Sequence, residues 1–416
     1  MASPGRDHAT KVYGCIVGEC NVRLWGLSSA ERLQRVFERA GVAGLASETD
    51  ELDPAATVIF VRADYLYDER VIRDLVGAPN VGLQVHEGGR AIRVAAHVSS
   101  ARACVARRWL HGEAGAQEMP GIQIKFPDAL SEAYDEKLLR SEPATVVRIG
   151  PDRRAALERH LFNGSYKGVT DFVTKWLWPA PARWATHLCT RAGIRPNHVT
   201  ILSVLLVVMV TFLFATGRYG FGLGLAWLMT FLDTVDGKLA RVTVGSTSIG
   251  HALDHGLDII HPPFWYLAWG MGLEEFQAPL EGLTLDLVLG TVVVGYVVGR
   301  LVEGAFTLWV GRFSLFCWRP IDSYSRLVLA RRNPNLTLLT GGLLAPDVGI
   351  MAVATWTLTC AVFLSVRLTM AVHRRTTCGP LRPWLAVPQG VAGDASGVSR
   401  PFVPHPTVRP HVMGLG

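Results

Sequence analysis

From residue 199 to residue 373 the sequence runs in apolar segments, several long enough to cross a bilayer. Backbone groups inside lipid must be satisfied within the protein, so this half of the chain is limited to helices. Residues 199–215 read as a first span, and 221–229 open a second. Residues 249–273 and 283–310 give a third and a fourth. A fifth starts near Tyr324 and ends at Leu344, and a sixth covers 348–371. Charge supports that count. Arg183, Arg191 and Arg195 precede the first span, and Lys238 and Arg241 end the second. Arg312, Arg319, Arg326, Arg331 and Arg332 follow the fourth, and Arg374 and Arg375 follow the sixth. The loop after the third holds Glu274, Glu275 and Glu281 without Lys or Arg. All basic loops share one side if both ends of the bundle are cytosolic, which is the positive-inside pattern. The expectation is a multi-pass protein of the cytoplasmic (inner) membrane with its N-terminal domain in the cytosol.

A chain of 416 residues is too long for one ordinary domain, and its 49% hydrophobic content is uneven. The boundaries expected are a soluble domain at 1–145, a linker with an interfacial amphipathic helix at 146–198, a membrane domain at 199–375, and a Pro- and Gly-rich disordered tail at 376–416. The net charge of +6 sits in loops rather than on one face, which argues against nucleic acid as a partner. Seven cysteines without a CxxC pair suit reduced, structural thiols. The opening MASPGRDHATKVYG lacks the apolar core of a signal peptide, so export of the first domain is not expected.

The first domain alternates strands and helices. VYGCIVG (12–18) reads as a buried strand, and SSAERLQRVFERAGV as a helix with Leu33, Val36, Phe37 and Ala40 on one stripe. Ser28 or Ser29 caps it and Gly41 ends it. A second strand at 58–62, a turn and a helix follow, and RAIRVAAHV (90–98) is another strand. This is an α/β layer with a mostly parallel sheet.

Within the membrane half, DTVDGKLARVTVGSTSIGHALDHGLD (233–258) holds four aspartates. Asp233 and Asp236 are three apart and share a helix face, with Gly237 and Ala240 beside them. Asp254 and Asp258 are four apart on the next helix, with Gly250 one turn before. A short loop brings the two pairs together. Four carboxylates in one cleft repel and lose hydration, so the cleft is stable only around cations. Oxygen-only donors suit two Mg²⁺ or Mn²⁺ ions, the arrangement that a displacement at phosphorus needs. Gly237 and Ala240 give clearance for a nucleotide, and Lys238 or Arg241 can meet phosphate oxygens. His251, His255 and Asp258 at helical spacing are a zinc-site alternative. Arg326, Arg331 and Arg332 are candidates for binding a phosphate, against a plain positive-inside loop. Arg300 and Glu303 lie inside the fourth span, where mutual pairing is the alternative to a functional role.

The stretch fits D-x2-D-G-x2-A-R-x8-G-x3-D-x3-D without departure and resembles the CDP-alcohol phosphotransferase (CDP-alcohol phosphatidyltransferase) family over roughly 160–375. The resemblance implies an all-α membrane bundle of six helices. It implies transfer of a phosphate-linked group from a CDP-alcohol to an acceptor alcohol, possibly phosphorylated, with release of CMP, in phospholipid or polyol-phosphate synthesis. It implies that Asp233, Asp236 and Asp254 hold the metals, with Asp258 close by as general base, and that the protein is a homodimer in the lipid bilayer. PNHVT before the first span also resembles the family, which places Asn197 and Thr200 at the nucleotide.

The first domain looks like a sugar-nucleotidyltransferase fold, with Asp64 matching its metal-binding aspartate. Its loop, VGECNVRL, has Gly18 and Arg23 but no second glycine between them, so the resemblance implies a degenerate domain that binds or scaffolds. Similar fusions occur in enzymes that make CDP-inositol and couple it to inositol phosphate; the degenerate loop undercuts that analogy, and the sequence names neither alcohol. A membrane transporter of divalent cations, built on the acidic helices, is the alternative from another class; it needs carboxylates near mid-membrane on several helices.

Overall fold

The computed structural model of the chain describes residues 11–47, 53–112, 121–245, 248–275, 280 and 282–386, without the side chains of 248, 249 and 251–255. The tail expected from 376 therefore lies outside the described residues beyond 386. Two compact units result, the first drawing on Met1–Ala133 and Glu142–Gly164, the second on Tyr134–Ser141 and Ser165–Pro404.

The first unit follows the order β1 (Val12–Val17), α1 (Ser29–Arg39), β2 (Gly44–Leu45), β3 (Thr57–Arg62), β4 (Tyr65–Tyr67), α2 (Glu69–Val76), β5 (Val81–Glu87), β6 (Arg90–Ser99), α3 (Ala103–His111), β7 (Gln123–Lys125), the single turn α4 (Pro127–Leu130), and α5 (Arg154–Gly164). One six-stranded sheet has the order β2-β1-β3-β6-β5-β7. β1 runs parallel to β2 and β3, and β5 to β7. β6 is antiparallel to both neighbours. The sheet is thus mostly parallel with one reversed strand. The reversal is dictated by Gly88 and Gly89, both at positive φ (56° and 78°), which make the tight turn between β5 and β6.

α1 starts where its capping box predicts. The Glu31 amide donates to Ser28 Oγ at 3.2 Å and the Ser28 amide to Glu31 Oε2 at 2.7 Å. Its buried face is Leu33, Val36 and Phe37. A Cβ at Gly14 on β1 would come within 2.8 Å of the Phe37 ring, so the strand can carry no side chain there. Burying Phe37 contributes about 2 kcal/mol.

The second unit is helical: α6 (Pro179–Arg191), α7 (Pro196–Ala215), α8 (Tyr219–Val242), α9 (Ser248–Met271), α10 (Gly282–Ala305), α11 (Pro320–Ser325), α12 (Arg332–Gly341) and α13 (Pro346–Cys378). Among the described residues, three helical stretches are long and apolar enough to cross a membrane: Pro196–Ala215, Gly282–Val310 and Pro346–Cys378. They mark a membrane protein, but they support three of the six expected spans. α8 and α9 have 24 residues each, yet α8 ends in Asp233, Asp236, Lys238 and Arg241. The fifth expected span is corrected outright. Residues 320–341 form two short helices, α11 of 6 residues and α12 of 10. Ten helical residues reach about 15 Å, half of a hydrocarbon core. Helix resumes at Arg332, and Arg331, Arg332 and Asn333 are tied to acidic partners (below).

The bundle core is aromatic. Tyr219 stacks on Trp269 with ring centroids 4.1 Å apart and donates its hydroxyl to the Trp269 carbonyl at 2.7 Å. Phe214 packs edge-on to Trp265 and Trp269. A Cβ at Gly222 would come to 2.6 Å from Phe214, so a glycine lets α7 and α8 close on that ring. Elsewhere a bidentate pair, Arg367 to Asp322 at 2.6 and 2.9 Å, ties α11 to α13. The segment leading into α7 leaves Trp176, Leu177, Trp184 and Leu188 exposed beside Lys175, Arg183 and Arg191. That mixture suits the lipid–water boundary.

Candidate active site

The acidic motif straddles the end of α8 and the first half of α9. Helical spacing places Asp233 and Asp236 one turn apart on α8, and tertiary packing supplies their partners. Asp236 is buried, and its Oδ2 accepts the Thr200 hydroxyl of α7 at 2.5 Å. Asp233 Oδ2 accepts Arg332 Nη2 at 2.6 Å, and Asp258 Oδ1 accepts Arg332 Nη1 at 2.6 Å. One guanidinium therefore joins a carboxylate of α8 to a carboxylate of α9. Its planar fork suits two acceptors at once. The Asp233 side chain is 16% exposed and that of Asp258 42%, so Asp258 is the more open of the pair. The Tyr296 hydroxyl of α10 donates to the Ile259 carbonyl at 2.9 Å and braces this turn of α9. The Asp254 backbone lies in α9 one turn before Asp258, but its side chain, with those of His251 and His255, lies outside the described residues. Among the described residues no three His, Cys, Asp or Glu side chains are grouped to hold a metal.

The remaining residues singled out from the sequence divide. Gly237 faces Arg241: a Cβ there would lie 3.0 Å from Arg241 Nη2. Ala240 and Gly250 are half-buried, and Asn197 is exposed in the first turn of α7. Lys238 is buried, donates to the Ser165 carbonyl at 3.1 Å, and lies over the Tyr166 ring. Arg331 pairs with Glu303, which also accepts Arg300 at 2.7 Å. Arg326 lies over the Phe316 ring and has a buried Nη1 with no hydrogen-bond partner. Loss of hydration first, then the like charges of Arg241, Arg326 and Arg331, lower the proton affinity of Lys167, while Asp258 works to raise it.

Sequence reasoning missed Asp171. It is buried and accepts the Thr174 amide at 3.0 Å, the Thr174 hydroxyl at 2.8 Å and Asn333 Nδ2 at 3.0 Å. Burial works to raise its proton affinity, but Arg326 and these donors outweigh it and hold the carboxyl below its ordinary range. A signal was present: Asp171 is the only acidic residue between Glu158 and Asp233.

In the first unit Asp64 has a local partner. Arg62 Nε and Nη2 donate to its two oxygens at 2.9 and 2.7 Å. Arg62 also lies over the Tyr65 ring, whose hydroxyl donates to Glu87 at 2.8 Å.

Residues 194–373 match the family model of CDP-alcohol phosphatidyltransferase. That stretch is a CDP-alcohol phosphatidyltransferase domain by this match, and it holds helices long and apolar enough to cross a membrane. The particular relatives are phosphatidylinositol phosphate synthases. That of Mycobacteroides abscessus is 32% identical over 117 residues, 26% of this chain and 51% of the relative. That of Mycobacterium tuberculosis is 31% identical over 113 residues, 26% of this chain and 52% of the relative. The chain spans about half the length of the curated relatives it matches. The crystal structure of Mycobacterium tuberculosis phosphatidylinositol phosphate synthase in apo form aligns with a TM-score of 0.33 and 20% identity, over 46% of this chain and 95% of that one.

Proposed function

We propose that the chain transfers a phosphate-linked lipid group from a CDP-alcohol to an acceptor of the inositol phosphate kind, releasing CMP. The observation that carries this is the gathering of Asp233, Asp236 and Asp258, with Arg332 bridging two of them and Thr200 donating to the third. Acid gathered with base on this scale suits a diphosphate donor and a phosphorylated acceptor. The relatives' name supplies the inositol phosphate part of the reading.

The donor set fits a divalent cation. It is all oxygen, and Asp233 and Asp258 already hold a positive group between them in Arg332. Asp233, Asp236, Asp254 and Asp258 would hold two Mg²⁺ or Mn²⁺ ions, which when bound supply charge neutralisation for the diphosphate. Asp236 is kept in place by Thr200. Asp258, the more open carboxylate, takes the proton of the acceptor hydroxyl as its oxygen forms a bond to the donor's alcohol-bearing phosphorus. The bond from that phosphorus to the bridging oxygen breaks, and CMP leaves. Asn197, Gly237, Ala240, Arg241 and Gly250 border the nucleotide in this reading. Arg326, Arg331 and Lys167 receive the acceptor's phosphate.

The protein works in this reading as a homodimer in the cytoplasmic membrane, with the first unit in the cytosol. The first unit binds or scaffolds, since its loop VGECNVRL has no second glycine between Gly18 and Arg23. The transporter alternative finds no support in the relatives.

The test uses the purified full chain in detergent with CDP-diacylglycerol and inositol phosphate, reading CMP by mass spectrometry. CMP release that requires added Mg²⁺ or Mn²⁺ and the acceptor is expected. No CMP with this donor and any polyol phosphate would overturn the assignment.

A further inference from the structure

Resting on the metal-centre reading above, we propose that Arg332 is a built-in counter-ion. It occupies the cation position between Asp233 and Asp258 and must withdraw before a divalent ion enters. Two carboxylates brought together from α8 and α9 repel, and a low-dielectric setting magnifies that repulsion. Arg332 bridges them with two bonds of 2.6 Å from one guanidinium. Its side chain is only 14% exposed, so this is a built contact rather than a surface encounter. Among the described residues its Nε is buried without a hydrogen-bond partner.

Flanking residues define what can move. Arg331 is held by Glu303 of α10, and Asn333 by Asp171 and Thr174. The backbone at the start of α12 is thereby pinned on both sides of Arg332. Its release is a swing of one side chain, not a displacement of the segment. A guanidinium cannot shed its charge on leaving, so it needs another anion. The donor's diphosphate is such an anion. Ion entry and nucleotide entry are therefore coupled through Arg332: each favours the arrangement that the other needs.

The test measures Mn²⁺ binding without nucleotide, by the electron paramagnetic resonance of free Mn²⁺, on the chelator-stripped full chain in detergent. Arg332→Gln removes the competitor and is expected to bind Mn²⁺ about tenfold tighter than the unaltered chain, as a close charge pair is lost. Arg332→Lys keeps the charge but cannot bridge two carboxylates with one fork, and is expected to bind tighter as well. Without metal, Arg332→Gln should melt at a lower temperature than the unaltered chain, and Mn²⁺ should restore it. Affinity at or below that of the unaltered chain in both variants would overturn the proposal while leaving the metal centre standing. Tighter binding in Arg332→Gln alone would uphold the counter-ion role and assign the competition to the charge rather than to the two-armed bridge. Absence of Mn²⁺ binding in all three chains would remove the metal centre itself, and the counter-ion role with it.

Discussion

Both units hold an aspartate with an arginine, and they do so in opposite ways. In the first, Arg62 reaches Asp64 two residues along the same strand end, at 2.7 Å. In the second, Arg332 reaches Asp233 and Asp258 across 99 and 74 residues of chain. The local pair is 27% and 28% exposed and joins residues two apart in the chain. The distant one binds three helices and exists only when the fold does. A local pair silences a carboxylate cheaply, whereas a distant one places carboxylates for use.

The largest expected effect lies on the distant side. Asp258→Asn should fold and bind the CDP-alcohol, yet lose at least about a hundredfold in CMP release if Asp258 is the base. Unchanged release would break the contrast at once. Next, Thr200→Val removes the donor to Asp236 and leaves a buried carboxylate oxygen without it. CMP release at fixed metal should fall about tenfold, with loss of roughly 1–3 kcal/mol of support for that group. Recovery of most of that loss at high Mg²⁺ would place the defect in the carboxylate's positioning.

On the local side, Asp64→Asn should alter stability by less than about 1 kcal/mol, since the pair is partly exposed. CMP release should stay within about twofold, because the site lies in the other unit. A large loss of activity would give the first unit a part in the chemistry. The smallest effect concerns pH. His97 is buried, with Nδ1 donating to the Leu75 carbonyl at 2.8 Å and Nε2 accepting the Thr57 hydroxyl at 2.9 Å. Burial pushes its proton affinity below the ordinary value of 6.5. The unfolded chain then binds the proton more readily, so stability is full above pH 6.5 and is lost as pH falls below it. A urea midpoint flat between pH 7 and about 5 would contradict that sign.

Periodicity made the first unit's early elements legible, because capping and alternation are local. Ser28 or Ser29 before the stripe of Leu33, Val36 and Phe37 announced α1, and the apolar run at 12–18 announced β1. The reversal of β6 hung on Gly88 and Gly89, a turn signal rather than a periodic one, and was passed over. In the membrane half, the spacing of Asp233, Asp236 and Asp258 was legible, since helices fix which residues share a face. Their partners were not. Thr200, Arg332, Asn333 and Asp171 meet through tertiary packing, and sequence distance carries no trace of it. The fifth span misled for the same reason: its apolar residues satisfied a composition rule, while the inward polar contacts that break it are non-local.

Arg331, Arg332 and Asn333 are consecutive, and each grips a different part of the second unit. Three such attachments on neighbouring residues hang on one short stretch of backbone. An insertion of a single residue there would throw every grip out of phase together. The segment therefore sets a common register for its neighbours, in the way that one tooth of a comb fixes the spacing of the rest.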